Sequence, residues 1–259
     1  MSLSKSVTER IVDVSDAGLI FPNALSFFGA HLRYFVKEIL ETEGEAYVVR
    51  ASDGAVSGLF IYDGFEKTGT IFTKSREVFD YLYCLRPFNF LFAEMKTEQE
   101  AEIYDIYTID LADLPIGRRF KHEISVAEDK DTDEIGQFMA STHPGMNRRW
   151  VKVALKNGDR CFVARLSGEI VGLGWLSLVN GIGRIHSLYV KPQFRRMGIG
   201  EDILHARLLW LKSKHASSAY SEISRHNFSS TRVAMKLHMG VSGQIFQYSR
   251  RPVGAQEAG

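Results

Sequence analysis

Residues Ile185–Glu201 read IHSLYVKPQFRRMGIGE, and this stretch decides the fold. An apolar-rich run ends at Val190, seven residues intervene, and Gly198-Ile199-Gly200 opens a helix. Two glycines at a strand-to-helix junction allow a tight turn and let backbone N–H groups face a bound anion. The helix adds its N-terminal partial positive charge, and Arg195 and Arg196 add formal charge beside it. A pyrophosphate is the matching guest, each charge-assisted contact contributing about 1.5–3 kcal/mol. Other phosphate loops do not fit. There is no GxxxxGK[ST], the third glycine of a dinucleotide fingerprint is missing, and in that fingerprint the strand feeds almost directly into the first glycine. Glu201 and Asp202 suit the first turn of any helix.

Outward from this loop the chain alternates short strands and helices. Downstream, a helix runs from about Gly200 to Lys214, followed by a strand at Tyr220–Ser224, a helix at Ser229–Leu237 and a strand at Ser242–Ser249. Upstream, a strand at Glu123–Ala127 precedes helices Thr132–Ser141 and Asn147–Lys156, then strands at Cys161–Leu166, Ile170–Leu178 and Gly183–Val190. The segment Ala112–Lys121, with Pro115, Gly117 and three basic residues, reads as a linker. Before it, Ala24–Thr42 has helical apolar spacing and a stop at Gly44. Strands are expected at Tyr47–Ala51, Val56–Tyr62, Thr68–Thr73, Phe88–Met95 and Ile103–Ile109, with a helix at Arg76–Leu85 that Ser75 caps. Mixed elements in this order predict an α/β (α+β) mixed sheet with helices on its faces.

The two halves resemble each other. Tyr47–Ser52 with Gly54 and Val56 matches Phe162–Ser167 with Gly168 and Val171, and the strand, strand, helix, strand, strand order that follows matches too. Two hairpins of like turn chemistry account for this, and so does a duplication in which one half has degenerated.

The chain has 259 residues, with 45% hydrophobic and 24% charged, as in a globular protein. Thirty-two Lys and Arg against 31 Asp and Glu give a net charge of +1, so no global field recruits nucleic acid or an anionic membrane. Cys84 and Cys161 form no CxxC pair, which excludes a zinc ribbon and a disulfide scaffold and leaves no metal expected. The first ten residues lack a basic segment followed by an apolar one, and no apolar run reaches membrane length, so a cytoplasmic protein is expected.

The loop resembles that of the GNAT superfamily of acyl-CoA-dependent N-acyltransferases. The family's strand-ending triplet appears as Leu188-Tyr189-Val190, then Pro192, then Arg195-Arg196-Met197-Gly198-Ile199-Gly200. Its later motif appears as Glu222-Ile223, Asn227, Ser230-x-Arg232-Val233 and Lys236-Leu237, with Gly240-Val241 standing two residues late and no Phe after the glycine. The likeness covers about residues 123–249. It implies a sheet splayed into a V beside the loop, acetyl-CoA (coenzyme A) as co-substrate, and no metal. The pantetheine would bond like an extra strand to Leu188, Tyr189 and Val190, with Arg195, Arg196, Met197, Gly198, Ile199, Gly200, Glu201 and Asn227 completing the site. It further implies a GNAT acetyltransferase domain at 118–259 and a degenerate GNAT-like domain at 1–117. The loop counterpart in the latter is only Thr73-Lys74-Ser75, unable to hold a pyrophosphate.

Acyl transfer from a thioester needs the amine positioned and deprotonated and the oxyanion stabilised. The family often places a Glu base where this chain has Arg184, which cannot serve. His186 shares its strand face by alternation and is the candidate base, with Arg184 disfavouring its protonated form. Lys236 stands where the family has a Tyr acid, and Tyr248 or Tyr220 are substitutes. Tyr34, Tyr62, Trp150 and Tyr189 are candidates for lining an acceptor pocket, with core roles as the plainer reading. The expected activity is transfer of an acetyl group to a primary amine of a small molecule or peptide. The rivals are a non-catalytic acyl-CoA-binding regulatory module and a transferase of a longer acyl or aminoacyl group.

Overall fold

The computed structural model describes residues 7–11, 36, 39–41, 44–64, 67–115, 117–142 and 148–249. The chain divides into two compact units, one of Met1–Pro22, Phe35–Tyr104 and Gln244–Gly259, the other of Asn23–Tyr34 and Asp105–Gly243.

In the first unit, strands β1 (Val7–Ile11), β2 (Glu45–Arg50), β3 (Val56–Asp63) and β4 (Thr68–Thr73) pair antiparallel in sequence order. Helix α1 (Arg76–Tyr83) then crosses over, and β5 (Phe90–Ala93) returns parallel to β4. Ser75 caps α1 as expected, its Oγ accepting from Val78 N at 3.3 Å. Val78, Phe79 and Leu82 then form one apolar stripe against Phe60, Ile71 and Leu91. Strand β1 was not foreseen. Five residues carrying Glu9 and Arg10 give a weak pattern, but an edge strand needs only one protected side.

The second unit contains the later part of β6 (Glu102–Asp110), then β7 (Ile124–Val126), α2 (Thr132–Thr142), α3 (Arg148–Lys156), β8 (Arg160–Leu166), β9 (Glu169–Val179), β10 (Ile182–Val190), α4 (Ile199–Ser213), β11 (Ser218–Ser224) and α5 (Phe228–Lys236). Its strands lie in the order β6-β11-β10-β9-β8-β7. β7 to β10 are antiparallel and β10–β11 parallel. Strand β9 is buried on both faces, which is why it reads as a nearly continuous apolar run. Gly172, Gly174 and Leu176 face α4, while Leu173 and Trp175 pack with Ile135, Met139 and Val151 of α2 and α3.

Chain order runs β12 (Gly240–Ser249) out of the second unit and into the first, where Phe246–Ser249 pair antiparallel with β5. Element ends elsewhere differ from expectation by a residue or two, as fraying termini do. One correction is larger: the segment expected as a linker is packed structure. Leu111–Asp113 form a 3-10 turn, Leu111 N donates to Ser217 O at 2.9 Å, and Leu111 and Leu114 are buried in the second unit's core. Of the helix expected at 24–42, Val36 and Ile39–Glu41 are described and helical; the rest of it, Tyr34 included, lies outside the described residues. No helix among the described residues is long and apolar enough to cross a membrane.

Candidate active site

The site begins where two parallel strands part. β10 and β11 pair only through Ile182–Arg184 and Ser218–Tyr220, and β10 then runs six residues further to Val190. Beyond Arg184 its outer edge has no partner in β11, while its other edge stays paired with β9 at Tyr189–Leu173 and Val190–Gly172. The result is a V in which Leu188–Val190 run on beyond the stretch that pairs with β11. Within β10 the register shifts between His186 and Tyr189, and Ser187 sits at a φ of 50°. This is a bulge, which bends the strand and re-aims its side chains.

Past Val190, a 3-10 turn at Pro192–Phe194 leads into the glycine loop. Arg196 and Gly198 have φ of 65° and 93°, the left-handed values that turn successive N–H groups to one side. The N–H groups of Arg196, Met197, Gly198, Ile199 and Gly200 donate to no acceptor among the described residues. Gly198 caps α4 with no side chain, and a Cβ there would stand 3.8 Å from Lys121 Cδ. Gly200 rests on the strand end, where a Cβ would meet Val190 and Leu188 at 3.7 and 3.8 Å. Ile199 is buried beneath the loop, whereas Met197 is half exposed. Arg195 lies over the Tyr189 ring, 5.3 Å from its centroid, and its Nε donates to Val190 O at 3.0 Å. The loop, the Leu188–Val190 edge and both arginines therefore come together.

Glu201 stands apart from that cradle. Its N–H returns to Gly198 O at 3.1 Å, and its carboxylate is held by Arg118 and by Lys236 Nζ at 2.9 Å. Despite partial burial, those two cations hold its carboxyl below the usual range. Asp202, which looked like an ordinary first-turn acid, is fully buried. It accepts from Lys121 N, His122 N and His122 Nδ1 at 3.0, 3.1 and 2.8 Å, latching residues 118–122 to the start of α4. Asn227 caps α5, its Oδ1 accepting from Ser230 N at 3.1 Å.

His186 lies on the β10 face that carries Trp175's partners, its ring edge-on to Trp150 at 6.4 Å. Its Nδ1 is 3.2 Å from Ser187 Oγ, and its Nε2 is 3.9 Å from Oδ2 of Asp159, a carboxylate with 1% exposure. Arg184 shares that face, as alternation required, but Glu222 accepts from its Nε at 3.0 Å. Its charge is therefore paired with that carboxylate. Tyr248 is corrected as an acid candidate. It belongs to the first unit's core, where its hydroxyl donates to Met95 O at 2.7 Å and accepts from Thr97 N at 2.9 Å. Tyr220 is fully buried beside Arg184 and Glu222, and burial pushes its phenol well up. Tyr62 donates to Pro87 O in the first unit, while Trp150 packs edge-on against Trp175 and Tyr189 against Phe138.

Asp159 and Arg207 were missed. An Asp after Asn157-Gly158 reads as turn chemistry, and an Arg inside an amphipathic helix reads as its solvated side. Neither carries a motif.

Residues 125–239 match the model of the Acetyltransferase (GNAT) family. Over 128 residues, 42% of this chain and 87% of the relative, the chain is 27% identical to an uncharacterized N-acetyltransferase of Archaeoglobus fulgidus. Among solved structures, a GCN5-related N-acetyltransferase from Sphaerobacter thermophilus superposes with a TM-score of 0.62 at 15% identity, covering 96% of this chain and 97% of that one. A tandem GNAT protein from the clavulanic acid biosynthesis pathway gives 0.61 at 12% identity, covering 95% and 99%. The fold of nearly the whole chain is thus shared with GNAT proteins, a tandem one among them.

Proposed function

We propose, from the premise that residues 125–239 are a GNAT acetyltransferase domain and the protein an acyltransferase, that it moves an acetyl group from acetyl-CoA to a primary amine. The observation that carries this reading is the run of five undonated N–H groups at Arg196–Gly200, set at the mouth of the β10–β11 splay. The nest receives the pyrophosphate, with Arg195 and Arg196 screening its charge. The Leu188–Val190 stretch of β10 that extends past its pairing with β11 holds the pantetheine by strand-like bonds, and Asn227 borders the opening at the end of β11.

In this reading His186 accepts the amine proton, directly or through one water, as the amine nitrogen bonds to the thioester carbon. The carbon–sulfur bond then breaks, and the thiolate leaves with a proton that the imidazolium can return. Backbone N–H groups at the bulge stabilise the oxyanion. His186→Gln is expected to lose about 10²–10³-fold in kcat with CoA affinity nearly constant. Full activity in that variant would remove His186 from the mechanism.

Acyl-CoA binding without turnover has its own support: Arg184 and Lys236 occupy the two positions where catalytic groups were sought, and both are tied to glutamates. Thiol release from acetyl-CoA with a panel of small amines and peptides separates the two readings, and longer acyl-CoA donors in the same assay define the chain length.

We also propose that the chain is a tandem, residues 1–117 being a degenerate copy and 118–259 the acetyltransferase. Both hairpins place an arginine alike: Arg50 Nη1 donates to Gly54 O at 3.2 Å and Arg165 Nη1 to Gly168 O at 2.9 Å. The strand registers shift next to both arginines.

A further inference from the structure

Two buried charges that the acyl-transfer chemistry does not use both touch His186. Arg207 lies on α4, the helix that begins at the glycine loop, and has no solvent exposure. It fits only because Gly174 has no side chain, since a Cβ there would stand 2.8 Å from the guanidinium carbon. Its Nη1 donates to Trp175 O at 2.8 Å and to His186 O at 3.1 Å. Those two residues are partners across β9 and β10, so one nitrogen staples both sides of the ladder at the last pair before the bulge. No carboxylate pairs with Arg207 among the described residues, and its Nε and Nη2 have no partner there. Burial pulls this guanidinium down to about 9, so it still carries its proton at neutral pH. A desolvated cation without a counterion is destabilising in itself, and apolar packing would fill the same space without that cost.

The second charge is Asp159, in the turn between α3 and β8. It has 1% exposure, with Oδ2 at 3.9 Å from His186 Nε2. Trp150 closes one side of the ring, and Ser187 Oγ lies 3.2 Å from Nδ1. The remaining charged groups on this face, Arg184 and Glu222, are bonded to each other.

We propose that Asp159 and Arg207 are positioning residues for His186, the carboxylate orienting the ring and the guanidinium fixing the bulged backbone that presents it. The inference rests on the reading of His186 as the base. Asp159 draws the ring's proton to Nε2 and leaves the Nδ1 lone pair to take the amine proton, and the imidazolium that forms shares its charge with the carboxylate. Arg207 holds the carbonyl of His186, the last ladder residue before the bulge, and through it keeps Ser187 in its left-handed conformation.

The test is a double-variant cycle on the full chain, read by thiol release from acetyl-CoA with the best amine of the panel. Asp159→Asn is expected to lower kcat by roughly 10–10²-fold with the KM for acetyl-CoA unchanged. In a His186→Gln background it should cause no further loss, because it acts only through the ring. Losses that multiply, or full activity in Asp159→Asn beside a crippled His186→Gln, overturn the proposal and leave the base intact. Full activity in His186→Gln overturns the base reading first and the proposal with it. For Arg207, amide hydrogen exchange supplies a readout independent of turnover. Arg207→Met should speed exchange at Ser187 and Leu188 at least ~10-fold and lower kcat, and unchanged exchange and kcat overturn the clamp. Should that variant fold poorly, Arg207→Lys keeps the charge but not the two-carbonyl geometry. A smaller rise in exchange with a smaller fall in kcat is then expected, and no change in either overturns the clamp.

Discussion

Two strand-to-helix junctions in this molecule follow one plan and end differently. In the first unit β4 enters α1 through Thr73-Lys74-Ser75. There Thr73 Oγ1 takes the Ser75 N–H at 3.1 Å and Ser75 Oγ takes that of Val78 at 3.3 Å. Side chains satisfy the helix start, and little is left for an anion. In the second unit β10 enters α4 through a longer loop capped by Gly198, and the N–H groups of Arg196–Gly200 donate to no acceptor among the described residues. The parallel strands differ in the same direction. β4 and β5 pair at four positions, Thr68 to Ile71, out of a six-residue strand. β10 and β11 pair at three, out of nine. A cap that satisfies itself goes with a closed strand pair, and an unsatisfied cap with an open one. At the second junction, hydrogen bonds that the first makes with its own side chains are left unmade.

The largest effect that tests this contrast is on Gly198. Gly198→Asp puts a negative side chain into the nest and should weaken CoA binding at least ~100-fold, about 2.7 kcal/mol, with the fold intact. Unchanged binding by calorimetry would break the assignment of the loop. The same titration on the unaltered chain should give one CoA per chain, and two equivalent sites would show that the first junction also binds.

Ser75→Ala is the mirror experiment. It should cost about 1 kcal/mol of stability in chemical denaturation, the usual worth of such a cap, and leave CoA affinity alone. A loss of CoA affinity in that variant would erase the distinction between the junctions.

Acid should reach the two units at different pH. His205, in the second unit, is buried under Pro115 and Phe120, and burial lowers its pKa below 6.5. The unfolded chain therefore binds more protons as pH falls through about 6.5, and the stability that the neutral ring permits is lost from there downward. In the first unit the hydrogen bond from Arg86 holds the Glu45 carboxyl below its ordinary 4.5, so that contribution is kept above about 4.5 and lost only below it. Amide exchange followed from pH 7 to 4 should show α4 losing protection before β2 and β3, and His205→Gln should delay it. Simultaneous loss in both units would contradict this order.

The smallest effect belongs to Gly200. Its φ is not left-handed, and a Cβ there meets only ordinary contacts. Gly200→Ala should change CoA affinity by less than ~3-fold and raise stability by about 0.4–1 kcal/mol through the unfolded chain. A loss like that of Gly198→Asp would mean that the backbone approaches the ligand at both glycines.

Element types were legible where a run is long, β9 by a nearly continuous apolar stretch and α4 by its length behind a glycine start. β1 was not, because its value lies in one neighbour rather than in its own pattern. The loop was legible because its parts are local: two glycines, two arginines and a helix start lie within six residues. The surroundings of His186 were not, because they come from four separate places. Asp159 arrives from a turn, Trp150 from α3, Arg207 from α4, and Glu222 reaches over from β11 to cancel Arg184.

By itself, then, the amino-acid sequence determined the mixed α/β character and the β10–loop–α4 unit, since these depend on residues close enough to meet along one strand and one helix. Tertiary structure alone decided that β10 and β11 part after three pairs, that Asp202 latches residues 118–122, that Tyr248 serves the first unit's core, and that β12 completes that unit's sheet. Each of these depends on which distant groups the packed chain brings within hydrogen-bond or ion-pair reach. In a low-dielectric interior such partners set what a charged side chain does more strongly than its own identity.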